Sequence, residues 1–201
     1  MSAEQLYLSG DCTGSADHFK KYINKFKDGN YLLDAHYYKA DCNMQAGNES
    51  DALESYEYII SRPRNMFTEE ALLKAGRINF KNSRYSDALE NFKMLESVAD
   101  IKSNLLEARI GQMRSCFKLQ NDTSAIFAAN KVLISDKVPL ETINEAHYVL
   151  AKSFLLVNAT FSSRLMTNET FSNIFSPLNE AERFSTVNTS FPKLRLISNP
   201  I

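Results

Sequence analysis

A repeat of 36 to 38 residues is the feature that most constrains the fold of this chain. It is marked by four alanines at intervals of 36, 37 and 38 residues, Ala35, Ala71, Ala108 and Ala146. Residues typical of turns follow each alanine after twelve positions: Gly47, Ser83, Gln120 and Asn158. Seventeen residues after the first three alanines stand further small residues, Ala52, Ala88 and Ala125. Self-similarity at this period predicts a solenoid of stacked helix pairs, each reading helix, short turn, helix, rather than a globule with one active site.

The repeat divides residues 1–156 into units. Apolar residues at helical spacing, bounded by turn and capping residues, predict helix pairs over 32–45 and 52–61, 68–80 and 86–98, and 105–119 and 125–134. These pairs fall in units of about 29–64, 65–101 and 102–138, followed by the front helix of a further unit over 139–156. A partial unit, 1–28, comes first and has its back helix over 15–27. Its missing alanine would precede Met1, which predicts that the chain begins inside an element of a longer array.

The segment 157–201 departs from this pattern. It holds 18 Ser, Thr or Asn residues and 7 charged residues among 45, whereas the 156 residues before it hold 40 charges. Three interpretations stay open: an atypical capping segment such as solenoid ends usually carry, a non-native tail produced by a change of reading frame, or a separate functional module.

Two units resemble tetratricopeptide repeats, a family with a 34-residue period and small residues at fixed positions. The matching residues are Gly76, Ala88 and Phe92 in one unit and Ala40, Ala52 and Tyr56 in the unit before it. A third unit matches more loosely, with Met113, Ala125 and, where an aromatic is usual, Ala129. The resemblance implies an all-α, right-handed α-solenoid of antiparallel helix pairs. The segments GRINFKNSRYSDALENFKML and EARIGQMRSCFKLQND are most similar to bacterial, envelope-associated members of the family.

In tetratricopeptide proteins the front helices line a concave groove, and the resemblance implies which residues of this chain face it. The candidate partner-binding residues are Tyr37, Asp41, Met44, Leu73, Arg77, Phe80, Lys81, Ile110, Arg114, Phe117, Lys118, Tyr148 and Lys152. One edge of the groove would be acidic, formed by Asp34, Glu70, Glu107 and Glu145. The groove would therefore have an acidic edge, an apolar floor and a basic strip.

The basic strip has two interpretations. Arg77 and Arg114 offer forked donors to carboxylates, so together with neighbouring aromatics they predict binding of an acidic peptide. Alternatively, Glu70 and Glu107 neutralise the two arginines two turns along each helix, directly or through neighbours, and the charges form a solvated surface.

Composition and motifs exclude several other functions. The net charge of −1 gives no reason to expect nucleic acid as a partner, and no apolar run is long enough for a membrane span. The chain has no phosphate-binding glycine run, metal-ligand spacing or nucleophile elbow, which predicts a protein without cofactor or catalysis. His36 and His147 occupy equivalent repeat positions, so repetition explains them better than chemistry does. The absence of a secretory signal predicts a cytoplasmic protein, or a periplasmic or envelope-associated one if a longer parent carries a signal.

The predicted function is a non-catalytic scaffold or adaptor that binds a partner peptide or protein in its groove. Two alternatives belong to other classes: a structural component of a bacterial cell-envelope assembly, and a helical accessory region of a larger enzyme. The exposed apolar surface of the shortened first unit and of the irregular end also predicts self-association.

Overall fold

The computed structural model describes residues 1–167, with side chains for residues 1–160. This part of the chain contains nine α-helices and no strand. In order they are α1 (Ala3–Leu8), α2 (Cys12–Lys25), α3 (Leu32–Gln45), α4 (Glu49–Ile60), α5 (Thr68–Lys81), α6 (Tyr85–Val98), α7 (Lys102–Lys118), α8 (Asp122–Leu133) and α9 (Leu140–Thr167). Every predicted helix is present, and α3 has the predicted bounds.

Consecutive helices pack against one another along the chain, which confirms the α-solenoid. Helices α3, α5 and α7 are the front helices of the three predicted full units, and α4, α6 and α8 are their back helices. The front helices α5 and α7 also contact each other directly. Each unit therefore buries apolar surface both between its own two helices and against the neighbouring units.

The alanines that defined the repeat are buried where helices pack against one another. Ala35 is 2% exposed, and the three equivalent alanines are fully buried. The small residues of the back helices, Ala52, Ala88 and Ala125, are fully buried as well. A side chain that ends at Cβ lets neighbouring helices approach closely, so the repeated alanines are explained by packing density.

Front and back helices of a pair are joined by the same turn in every unit. The residues predicted to lie in turns have left-handed backbone: φ is 77° at Gly47, 60° at Ser83 and 56° at Gln120, and Gly10 adds a fourth case at 83°. At the first of these, the Gly47 N–H donates to the Met44 carbonyl at 3.1 Å and the Asn48 N–H donates to the Asn43 carbonyl at 2.8 Å. Both bonds recur at the other three turns. This double bond pattern is the Schellman motif, which ends a helix at a left-handed residue.

Because this turn is so short, the back helices begin earlier than the sequence predicts. Helix α4 begins at Glu49 rather than at residue 52, and α8 begins at Asp122 rather than at residue 125. The residue after the left-handed position already serves as the N-cap of the back helix, Asn48 in α4 and Asn121 in α8. Only three residues therefore separate front and back helix.

A phenylalanine fills the junction between the second and third full units. Phe92 on α6 is 4% exposed, and its ring lies against two glycines, Gly76 on α5 and Gly111 on α7. A Cβ added to Gly76 would be 2.8 Å from the ring, and one added to Gly111 would be closer still. The ring thus occupies the space that the two glycines leave open.

The end of the repeat region differs from the prediction. The front helix expected to end near residue 156 continues to Thr167, so Asn158 is helical and does not form the expected turn. Residues 151–167 contain neither glycine nor proline, the residues that usually end a helix. Contacts divide the chain into two units, Met1–Val157 and Asn158–Ile201. The three interpretations of segment 157–201 concern mainly residues 168–201, which lie outside the described part.

Candidate functional site

Helices α5 and α7 bring five of the predicted groove residues together around one pocket of about 140 Å³. The predicted residues that line it are Arg77, Phe80, Lys81, Ile110 and Arg114. The Phe92 ring and Gly111 also line it, and Glu107 adds a carboxylate. The pocket exists because α5 and α7 are neighbouring front helices whose equivalent faces point to the same side.

Both arginines of this pocket form ion pairs with carboxylates of the following unit. The Arg77 Nη2 atom donates to Glu107 Oε2 at 2.7 Å. Arg114 donates from Nε and Nη2 to the two carboxylate oxygens of Glu145, at 2.8 and 2.6 Å. Both pairs are partly exposed, with side-chain exposures of 51% and 44% for the first and 46% and 32% for the second. Solvent therefore weakens both pairs.

The sequence suggested ion pairs within one helix, whereas these ion pairs join neighbouring front helices. Neutralisation along each helix would have joined Glu70 to Arg77, whose positions are about 10 Å apart along the helix axis. In the structure Glu70 instead accepts a hydrogen bond from the Tyr37 hydroxyl on the preceding front helix, at 2.6 Å. Stacking of the front helices places the donors of one unit beside the acidic position of the next, so these contacts join units.

The remaining cations of the basic strip have different surroundings. Lys81 pairs with Glu49 at the start of α4, at 2.5 Å. The Lys152 Nζ atom lies 5.2 Å from the centre of the Phe117 ring and 5.8 Å from that of Tyr148, both within the range of cation–π attraction. Lys118 is exposed at the end of α7. Phe117, Tyr148 and Lys152 thus form an aromatic cluster with one cation between α7 and α9.

Two of the expected floor residues are part of the core. Leu73 is 8% exposed and Ile110 is 7% exposed, because both pack into the apolar clusters between units. The accessible apolar surface comes instead from aromatic edges such as Phe80 and Phe117, which are half-buried.

The predicted groove residues on α3 contact other residues of this chain. Tyr37 stacks on Phe67 with ring centres 4.4 Å apart, and burial together with its bond to Glu70 raises its pKa. Asp41 accepts hydrogen bonds from the Tyr7 hydroxyl at 2.8 Å and from Gln45 at 3.0 Å. Met44 packs against the first core cluster. These contacts fix the front-helix face at this end of the solenoid.

A larger cavity at the first junction was not anticipated from the sequence. It has a volume of about 540 Å³ and is lined by Ser2, Ala3, Glu4, Phe19, Tyr22, Tyr31, Asp34, Ala35 and Tyr38. All four of its aromatic residues lie outside the repeat positions that predict a groove, so only tertiary packing brings them together. The only signal in the sequence was the clustering of tyrosines around residues 22–38.

Within residues 1–167 no group of three or more His, Cys, Asp or Glu side chains is arranged to hold a metal ion. None of the helices described has the length and apolar character needed to cross a membrane. The three cysteines are free thiols, with Cys42 and Cys116 buried.

Comparison with known proteins yields a structural likeness only. No protein-family model matches the sequence, and no curated protein matches it. Among solved structures, the crystal structure of MamA protein superposes with a TM-score of 0.57 at 15% identity, covering 88% of this chain and 93% of MamA. MamA contains tetratricopeptide repeats, so the likeness supports a fold of that type. At this identity it shows the fold alone.

Proposed function

We propose that this protein is a non-catalytic scaffold whose front helices bind a segment of a partner protein. The observation that carries the proposal is the pocket between α5 and α7, which five residues predicted from the repeat register line together. A helical-repeat fold supports protein partners in general. The proposed binding surface consists of this pocket and the aromatic cluster formed by Phe117, Tyr148 and Lys152.

We further propose that the bound segment is acidic. The ion pairs of Arg77 and Arg114 are partly exposed, and pairs of this kind contribute about 0–1 kcal/mol, so a partner carboxylate can replace the internal one at low cost. Arg77 donates to Glu107 through one nitrogen, which leaves other N–H groups of its guanidinium for a ligand. Lys118, exposed at the end of α7, and Lys152, beside the Phe117 ring, add two positive charges to the proposed surface.

Site-specific photo-crosslinking tests this proposal in the native host. Benzoylphenylalanine is placed at Phe117 in the groove or, as the matched control, at Phe127, a phenylalanine on back helix α8 that is 64% exposed. We expect irradiation to attach a partner at residue 117 and not at residue 127. Attachment at residue 127 alone, or at neither position, would contradict a groove-binding scaffold.

The role of charge is tested on the same crosslink. Arg77→Glu with Arg114→Glu reverses the two charges of the pocket, and the expected result is loss of the crosslink at residue 117. Because both side chains are exposed, the variant should keep its helical circular dichroism. If the crosslink is undiminished in the charge-reversed variant, the groove remains the proposed binding site, but the proposal that the bound segment is acidic is wrong.

A further inference from the structure

The contacts between front helices follow one rule in all later units. The carboxylate near the start of each front helix accepts a hydrogen bond from a donor on the preceding front helix. The pairs are Tyr37 with Glu70, Arg77 with Glu107, and Arg114 with Glu145. In two of the three junctions the donor is an arginine guanidinium.

The first junction departs from this rule. Asp34 is the equivalent carboxylate on α3, one repeat before Glu70. One repeat before Asp41, in the row that holds Arg77 and Arg114, stands Glu4 on α1. Glu4 and Asp34 therefore face the same cavity, and in the part of the chain that the structure describes neither forms an ion pair. Two carboxylates stand where the two last junctions have a carboxylate and an arginine.

The space between these carboxylates is large and aromatic. The cavity measures about 540 Å³, against about 140 Å³ for the pocket between α5 and α7. Its walls include Phe19 and Tyr38, whose rings stack with centres 5.8 Å apart, and the half-buried Tyr22. Tyr31, 69% exposed, forms the rim. Aromatic faces attract cations, and they do so more strongly where water is excluded.

We propose that this cavity binds an arginine side chain of a partner peptide. A guanidinium stacks on aromatic rings and offers forked N–H donors to carboxylates, so it matches both components of the site. It would also supply the cation that Arg77 and Arg114 supply at the later junctions. The site differs from the proposed groove in place and in sign, because the groove selects acidic residues and this cavity selects a basic one.

The test uses two short peptides that differ only in charge. Acetyl-Gly-Arg-Gly-amide is compared with the same peptide carrying citrulline, which has nearly the shape of arginine and no charge. Both are titrated into the full chain while the backbone amide NMR signals of Tyr22, Tyr31 and Asp34 are followed. We expect the arginine peptide to bind at least about tenfold more tightly, which corresponds to about 1.4 kcal/mol. Equal shifts with both peptides would overturn the proposal.

Substitutions in the cavity test whether the preference for the arginine peptide arises there. Glu4→Gln with Asp34→Asn should abolish the preference for arginine over citrulline, whereas Glu54→Gln with Asp87→Asn, an equal charge change on exposed parts of α4 and α6, should preserve it. Tyr31→Ala removes an exposed ring at the rim without touching the core, and should weaken arginine binding severalfold.

Three further outcomes would overturn the assignment. They are an unchanged preference in the Glu4 and Asp34 variant, a loss of preference in the control variant, and a lysine peptide that binds as tightly as the arginine peptide. The crosslinking experiment at residue 117 is independent of all three, so the groove and this cavity succeed or fail separately.

Discussion

At the scale of single residues, two residues at equivalent positions of the repeat can have different surroundings. His36 and His147 are equivalent in the repeat, yet His36 is 7% exposed whereas His147 is exposed. The His36 ring stacks on Tyr58 with centres 3.7 Å apart, and its Nδ1 atom is buried without a hydrogen-bond partner among the described residues. Burial, aided by the charges of Lys39, Arg62 and Lys27, lowers the pKa of His36 to about 4.

This depressed pKa predicts a pH-dependent stability. The unfolded chain binds a proton at His36 below about pH 6.5 and the folded chain does so only near pH 4, so the free energy of unfolding falls as the pH drops through this interval. His36→Phe keeps a ring on Tyr58 and removes the titration. When the pH is lowered from 7 to 4.5, the wild type should lose about 2–3 kcal/mol more of its free energy of unfolding than this variant does, as measured by urea denaturation. His147→Phe, the matched control, should behave as the wild type.

At the scale of helices and turns, the connection within each pair depends on backbone geometry rather than on residue type. Gly10 and Gly47 meet the requirement for positive φ without strain, but Ser83 and Gln120 meet it with a Cβ present. The sequence predicted turns at three of these positions correctly because small and polar residues favour turns. The same reasoning predicted a turn at Asn158, where the structure has helix, because an asparagine permits a turn without enforcing one.

A substitution series at the turns tests this geometry. Gln120→Gly should raise the free energy of unfolding by about 0.5–1 kcal/mol, because glycine adopts the left-handed conformation without a steric penalty. Gly47→Ala should lower the free energy of unfolding by about 1 kcal/mol. Apart from its chain neighbours, no residue has an atom within 4 Å of the added Cβ, so that loss measures the backbone alone. Gln120→Ala, which keeps a Cβ, serves as the control and should change little. If Gln120→Ala stabilised the protein as much as Gln120→Gly does, relief of backbone strain at this position would not be the cause.

At the scale of the whole molecule, adjacent units are held by interdigitation at their junctions. Alanine is favoured over glycine in a helix interior by about 1 kcal/mol, so helix propensity alone predicts that Gly111→Ala stabilises the protein. The position of the Phe92 ring predicts the opposite, a loss of about 1–3 kcal/mol from overpacking. The sign of the change in urea denaturation decides between the two.

A double-mutant cycle assigns that loss to the ring. Phe92→Ala should destabilise the protein by about 3–5 kcal/mol, because the side chain is 4% exposed. With Phe92 already replaced by Leu, Gly111→Ala should cost little, since no ring then lies over the glycine. A penalty that is the same in both backgrounds would mean that Phe92 is not its cause.

The local pattern of the sequence was sufficient to predict the helices, their pairing and the solenoid. Helical periodicity, turn residues and small residues at fixed intervals are properties of neighbouring positions, and each unit packs only against the next, so a one-dimensional repeat specifies a one-dimensional fold. The register also identified Arg77, Phe80 and Arg114, which the structure places around one pocket.

Which side chains meet across a junction was decided only by the tertiary structure. The pairing of Arg77 with Glu107 and the space that Gly111 leaves for Phe92 depend on how far one unit is shifted and rotated against the next. The cavity beside Asp34 arises in the same way. These contacts join residues about 20 to 30 positions apart in the chain, and their distances vary by ångströms with packing, whereas helical periodicity fixes only which face of a helix a residue occupies.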